Sequence, residues 1–366
     1  MRAGPGQVLA GRYRLTDRPE ALRALAVDER TGATVLLRAL ELPALLTSGH
    51  DPDDPDGPMP EQSERLVRRV AEVGSAAPVH PRLLQGVGAF VEGDLLRTVE
   101  EWPAGVLLAD LAAAGPVAPY RAAELAADLA GALRALHEAG LTHGNLTAES
   151  VLVCEDGAAL LGGLLPGVAE EALAEELGGP GGRRRYEVRA TLVGAVAERW
   201  PLDGGPAGDC WALGVLLHRL VTGRSPYPDQ GVPELVTAVR DGRREPSTVC
   251  GPLAPLVERL LQPDPALRPG AAGIRRELAD LLAGAPEPVD EERAARALEL
   301  RPEGPLVPLN PRRRGRGAPR PEAAPDAGPP PARKPLLPPA LLGPVLVGGV
   351  FLLLVLGVAA VVMFAG

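Results

Sequence analysis

Lysine is almost missing from this 366-residue chain: of its 38 basic residues only Lys334 is a lysine. Chemistry that needs a compact ammonium group therefore has no donor before that position, because an arginine fork does not replace it. Aromatic residues make up 3% of the chain against 46% hydrophobic residues, so the core must be built from Leu, Val and Ala with few large anchors. The three cysteines, Cys154, Cys210 and Cys250, are odd in number, far apart and form no CxxC. That pattern offers no disulfide framework and fits a reducing compartment. The five histidines are equally scattered, without a pair at helical spacing beside carboxylates, so nothing suggests zinc. An excess of positive charge is missing too. A formal net charge of −9 argues against nucleic acid as the principal partner of the folded part. The opening MRAGPGQVLAGRYRL lacks the apolar run of a signal peptide, and no internal repeat is present.

Glycine (44) and proline (41) are plentiful, and they mark the organisation of the chain. Residues 285–340 are rich in Pro, Ala and Arg, with runs such as GPPPARKPLLPPA that hold neither a helix nor a central strand; they read as a disordered juxtamembrane linker. From Leu341 to Ala365 the chain carries no charged residue, and about 20 apolar residues suffice to cross a bilayer, so a transmembrane helix is expected there. Seven basic residues (Arg312, Arg313, Arg314, Arg316, Arg320, Arg333, Lys334) against two acidic ones within 311–340 place that flank in the cytoplasm by the positive-inside rule. The expected location is thus the cell membrane, single-pass, with residues 1–284 cytoplasmic.

Those residues read as one α+β unit that begins with strands and ends with helices. GRYRL, ALRALAVDE and ATVLLRAL are strand-like, with the turn signal RTG between the last two. HDPDDPDGPMPEQ, residues 50–62, reads as an acidic solvated loop; its prolines and spacing do not suit a calcium loop. In PYRAAELAADLAGALRALHEAG, residues Leu125, Leu129, Leu133 and Leu136 recur at helical spacing before Gly140. DCWALGVLLHRLVTG repeats the pattern with Leu213, Leu216, Leu217 and Leu220 and stops at Gly223. LAPLVERLLQ and AAGIRRELADLLAG supply two more amphipathic helices.

This order, with the loop HGNLTAESVLV, the run GDCWALGVLLHRLVTGRSPYP and a late LRP, resembles a bacterial eukaryotic-like (Hanks-type) Ser/Thr protein kinase domain over about residues 10–284. The resemblance implies a two-lobed protein-kinase-like fold, with a small strand-rich N-lobe (about 10–102) and a larger helical C-lobe (about 103–284). In that family a short list of groups positions and neutralises the phosphates. Most are replaced here. After GRYRL comes TDRPEALRAL, with no GxGxxG. The strand lysine corresponds to Arg38, a weak candidate for cofactor binding. Its glutamate partner, aligned on His80-Pro81, corresponds to Arg69, with Glu72 and Glu64 as alternatives, so a repulsion replaces an ion pair. The catalytic HRD corresponds to His143-Gly144-Asn145, whose amide cannot take up a proton, help that is typically worth roughly 10²–10⁴ in rate. The following Lys and metal-binding Asn correspond to Thr147 and Ser150. DFG corresponds to Gly163-Leu164-Leu165, and no carboxylate lies between Asp156 and Glu170.

Framework residues remain in the resemblance. His143 keeps the scaffold of the loop; Asp209 corresponds to the aspartate that caps the central helix and ties down the catalytic loop, or else is an ordinary N-cap. Glu198 corresponds to the APE glutamate and Arg268 to its salt-bridge partner. Thr191 is the one Ser or Thr in the segment EELGGPGGRRRYEVRATLVG, which lies where the activation loop belongs. It reads either as a phosphosite served by Arg183, Arg184 and Arg185 or as part of a flexible basic loop. Two functions stay open: a membrane-tethered pseudokinase that binds a protein partner, an active Ser/Thr kinase or an envelope-associated protein among the candidates, and a kinase with residual or unconventional ATP-dependent activity. No functional catalytic residue, no metal and no cofactor are expected under the first; ATP and Mg²⁺ enter only under the second.

Overall fold

A computed structural model describes residues 4–16, 22–47, 60–200, 205–229 and 231–285. The expected linker, the apolar segment 341–365 and most of the acidic insert lie outside them, as do residues 17–21 after GRYRL. Among the described residues no helix is long and apolar enough to cross a membrane.

The first lobe is an antiparallel sheet. Its strands are β1 (Val8–Leu9), β2 (Tyr13–Leu15), β3 (Arg23–Asp28) and β4 (Thr34–Glu41), then, after helices α1 (Ala44–Thr47) and α2 (Glu61–Ala76), β5 (Gly86–Glu92) and β6 (Leu95–Glu101). They lie in the order β1-β2-β3-β4-β6-β5. Strand β3 alternates inward Ala24 and Ala26 with more exposed neighbours, the period-2 pattern of a strand with one covered face. One side of the sheet closes over Leu9, Leu15, Val35, Leu37 and Val99, with Tyr13 stacked on Phe90 at 5.8 Å. Aspartate 28 is buried and paired with Arg12 at 2.7 Å, pinning the end of β3 to the start of β2.

The second lobe starts with β7 (Val106–Leu107) and α3 (Leu108–Ala114). The long α4 (Pro119–Glu138) follows, then the small strands β8 (Val151–Val153) and β9 (Ala159–Leu161), which pair with β7 in the order β7-β8-β9. Next come α5 (Leu164–Gly178), α6 (Arg183–Val193), α7 (Gly205–Thr222), α8 (Val232–Arg240), α9 (Ala254–Leu260) and α10 (Ala271–Ala283). The leucines of α4 and α7 that recur at helical spacing are all buried in one continuous core with α9 and α10. Trp211 of α7 stacks on Tyr227 at 5.2 Å and supplies one of the few large anchors.

The segment after Gly163 departs from the expected loop: it is a helical hairpin. Helix α5 packs against α2, β4 and β6, and its Leu165, Ala169 and Leu173 share a core with Leu42, Leu46, Leu66, Val70 and Leu96 of the first lobe. It then reverses through 179–182 into α6. At the crossing a Cβ on Gly178 would lie 2.4 Å from the Arg185 backbone, so only glycine fits.

Candidate active site

The loop HGNLTAES sits between α4 and β8 and is held from below by Asp209. That carboxylate accepts the backbone N–H groups of His143 (2.9 Å) and Gly144 (2.8 Å), and a third bond joins it to His137 Nε2 at 2.8 Å. Because α7 begins at Gly205, Asp209 lies inside the helix and not at its N-cap; the backbone it caps is that of the loop. His143 is wholly buried. Its Nδ1 accepts the Asn145 N–H (3.3 Å), which leaves the proton on Nε2 to be donated to the Gly162 carbonyl at 3.0 Å. Burial holds the imidazole below its ordinary pKa, against the opposing pull of Asp209.

The structure brings Asn145 and Ser150 against Gly163, and both side chains bond backbone groups. Asn145 Nδ2 donates to the Gly163 carbonyl at 2.9 Å. Ser150 Oγ donates to the Thr147 carbonyl (2.9 Å) and accepts the Thr147 N–H (3.0 Å), a local capping box. Gly163 has φ +84°, and a Cβ built on it would stand 2.9 Å from Ser150 Cβ and 3.0 Å from Asn145 Nδ2. An aspartate at this position has neither the backbone conformation nor the room it needs.

Sequence reasoning missed Glu100. It lies on β6, fully buried, and its two carboxylate oxygens stand 3.0 and 2.9 Å from the Gly163 nitrogen, with the N–H groups of Leu164 and Leu165 adding to the favourable field around it. Burial raises its pKa, with Arg38 and these N–H groups opposing. Its residue type gave no signal, because β6 also carries Arg97, Thr98 and Glu101. Arg38, on the neighbouring strand β4, crosses to the second lobe and donates from Nη2 to the Glu149 carbonyl at 2.5 Å. Its like-charged neighbour is Arg23, directly opposite on β3, and its acidic ones are Glu100, Glu149 and Glu170. The expected repulsion from Arg69 does not arise: Arg69 lines a separate cavity of about 460 Å³ beside His143 and Gly144, whereas Arg38 lines one of about 370 Å³ under the sheet. Glu64 and Glu72 stay exposed on α2.

These groups do not fit a magnesium nucleotide. Arg38 Nη2 is bonded to the facing loop, the amide and hydroxyl are bonded to backbone, and both oxygens of the one carboxylate that enters face the Gly163 N–H. Among the described residues no group of three or more His, Cys, Asp or Glu is placed to hold a metal ion.

Two further expectations are corrected. Glu198 is buried, but it pairs with Arg219 (2.8 Å), not with Arg268. Arg268 is buried too; it donates to the carbonyls of Gln262, Pro263 and Ala207 at 2.8, 3.1 and 3.1 Å and lies 4.8 Å over the Trp211 ring. Three carbonyl dipoles and an aromatic face thus replace the carboxylate. Thr191 is exposed on α6 and donates to the Glu187 carbonyl one turn back at 3.0 Å. Arg183, Arg184 and Arg185 precede it by about two helical turns, and Arg183 pairs with Glu187 and Arg185 with Glu171. They do not gather around the threonine. The arginines of this region instead bind the hairpin: Arg189 pairs with Glu170 (2.9 Å) and Glu171 (3.2 Å) and donates to the Gly144 carbonyl at 3.3 Å, while Arg199 also pairs with Glu170.

The two lobes, the loop pinned by an aspartate on the central helix and the crevice between them define the architecture of a protein kinase domain. The family described as protein tyrosine and serine/threonine kinase matches residues 56–278, and the chain belongs to it. Over 204 residues it is 33% identical to the serine/threonine-protein kinase PkaA of Streptomyces coelicolor, covering 54% of this chain and 36% of that protein. Over 232 residues it is 29% identical to the serine/threonine-protein kinase pkn2 of Myxococcus xanthus, covering 60% and 27%. Over 273 residues it is 29% identical to CBL-interacting protein kinase 25 of Oryza sativa, covering 72% and 46%. The chain thus matches less than half the length of each of these relatives.

Two measurements follow from this geometry. Protonating His143 would place a second N–H against the Asn145 N–H donor. Its folded pKa lies below the unfolded value of about 6.5, so the unfolded chain binds the proton more readily, and stability is present above that pH and lost as pH falls below it. Denaturant unfolding between pH 7 and 5 should show a slope of at most about 1.4 kcal/mol per pH unit from this residue, and His143→Gln should flatten it; an unchanged slope contradicts the assignment. Gly163→Asp should lower stability by about 2 kcal/mol or more, read as a shift of the urea midpoint, without creating a Mg²⁺ site detectable by calorimetry.

Proposed function

We propose that this protein is a membrane-anchored pseudokinase that works as a signalling scaffold or regulator by binding a protein partner, without transferring phosphate. The observation that carries the reading is the closure of the site on itself: Asn145 and Ser150 are spent on backbone groups, Gly163 has no room for a metal-binding side chain, and Arg38 bonds the opposite loop. Groups that share one catalytic task fail together, so several such losses leave no partial route. Partners of the expected kind are an active Ser/Thr kinase or an envelope-associated protein. Segment 341–365 anchors the chain, with the kinase domain on the cytoplasmic side. Thr191 remains a candidate phosphosite on the ground of exposure alone.

A second reading, a Ser/Thr kinase with unconventional chemistry, is favoured by the relatives, which are named serine/threonine kinases. The two readings separate in one assay. Full-length protein incubated with labelled Mg-ATP and a mixed protein substrate should show no transfer, and ATP should raise the melting temperature no more with Mg²⁺ than without it. Transfer that survives Asn145→Ala and disappears with Arg38→Ala establishes the second reading instead. The anchor is tested by fractionation: full-length protein should stay in the membrane pellet after a carbonate wash, and a version ending at residue 340 should be released. Recovery of both in the soluble fraction refutes it.

A further inference from the structure

Helix α5 has a peculiar beginning. The first four N–H groups of a helix lack intrahelical acceptors, and here they belong to Gly163, Leu164, Leu165 and Pro166. The last has no N–H at all, and the Gly163 N–H is taken by both oxygens of the Glu100 carboxylate, whose pKa the Leu164 and Leu165 N–H groups also pull down against its burial. The first intrahelical bond then runs from the Gly167 N–H to the Gly163 carbonyl at 3.3 Å. Glu100 belongs to β6 of the first lobe, so a side chain from outside the helix caps its first N–H, and the helix dipole adds to the attraction for a carboxylate.

The rest of the helix adds further contacts with the first lobe. Leu165 enters the first-lobe core with Leu66, Val70 and Leu96, close enough to β5 that a Cβ on Gly86 would stand 2.6 Å from its Cδ1. Glycines flank the helix at 162 and 163 on one side and at 178, 179, 181 and 182 on the other, so the chain can rotate at both ends. Farther along, Glu170 and Glu171 face arginines of α6 and Arg199, so those ion pairs tie the hairpin within the second lobe, while Glu176 near the far end of α5 pairs with Arg65 of α2. The polar tie from the start of α5 to the first lobe is Glu100, reinforced by the Arg38 charge beside it.

We infer that Glu100 is an interlobe latch, an autoinhibitory contact that holds α5 in the crevice as an internal plug, and that loss of this carboxylate releases the helix while the rest of the second lobe stays folded. The inference is independent of whether the domain transfers phosphate: in a pseudokinase the latch controls which face a partner meets, and in a kinase it controls access to the crevice. The test is hydrogen–deuterium exchange followed by mass spectrometry on the full-length chain, comparing wild type with Glu100→Ala and Glu100→Gln. Peptides covering 164–178 should exchange at least tenfold faster in the alanine variant and severalfold faster in the glutamine variant, with peptides of α4 and α7 unchanged. Unchanged protection of α5 in the glutamine variant overturns the latch. So does a parallel loss in α4 and α7, which would make Glu100 a general support of the fold. Where the alanine variant does not fold, the glutamine variant decides. Phosphate transfer is scored separately and leaves this result as it stands.

Discussion

The backbone of Gly162-Gly163 is gripped from several directions by groups that come from distant parts of the chain. His143 takes the Gly162 carbonyl, Asn145 takes the Gly163 carbonyl, and Glu100 takes the Gly163 N–H. Each of these groups is buried, and each would be costly to leave without a partner in a dry environment. The arrangement therefore behaves as one network. His143 is oriented because Asp209 fixes the backbone on either side of it, and the left-handed turn at Gly163 aims its N–H at Glu100 and starts α5 in the direction of the first lobe. The position of the helix and the bonds made by the two loop side chains follow from that one turn.

Charge in the crevice obeys the same logic. A lone buried carboxylate or guanidinium is expensive, and burial moves Glu100 and Arg38 in the directions expected of groups resisting ionisation. Each is made tolerable by hydrogen bonds and by the other's charge. In a nucleotide-binding crevice the same positive charge would be left free for phosphate. Here Glu149 receives it through a carbonyl, and the lobes are joined directly.

Much of the helical lobe was legible because it follows from local periodicity: the leucines of α4 and α7 repeat at helical spacing and are buried where that spacing puts them. Asp209 was legible only through the likeness of its surrounding run, since an aspartate near the start of a helix otherwise reads as a cap. Helix α5 was not legible, for physical reasons. Its cap comes from a residue 63 positions earlier, so no Ser, Thr, Asp or Asn marks its start. Pro166 and Gly167 look like helix breakers, although proline is well suited to a first turn. Its apolar residues cover more than one face, because α2 and the sheet pack on one side while the loop packs on another. The partner of Arg268 was misjudged for a related reason: backbone carbonyls collect it, and carbonyls leave no trace in residue type.

The glycines of this region also bear on how the fold was kept. A metal-binding aspartate at 163 would need the Asn145 and Ser150 side chains to withdraw and the left-handed turn to unwind, but unwinding the turn would remove the N–H groups from Glu100 and leave that carboxylate buried without donors. An aspartate at 163 would thus unbalance Glu100 and, through it, disturb α5 and the core it completes with Leu66, Val70 and Leu96. Coupling of this kind makes the closed arrangement self-consistent: each departure from the kinase pattern supplies the partner that another departure requires. The outer surface of α6 keeps Arg183, Arg184, Glu187 and Thr191 exposed, while its opposite side is tied to Glu170, Glu171 and Gly144.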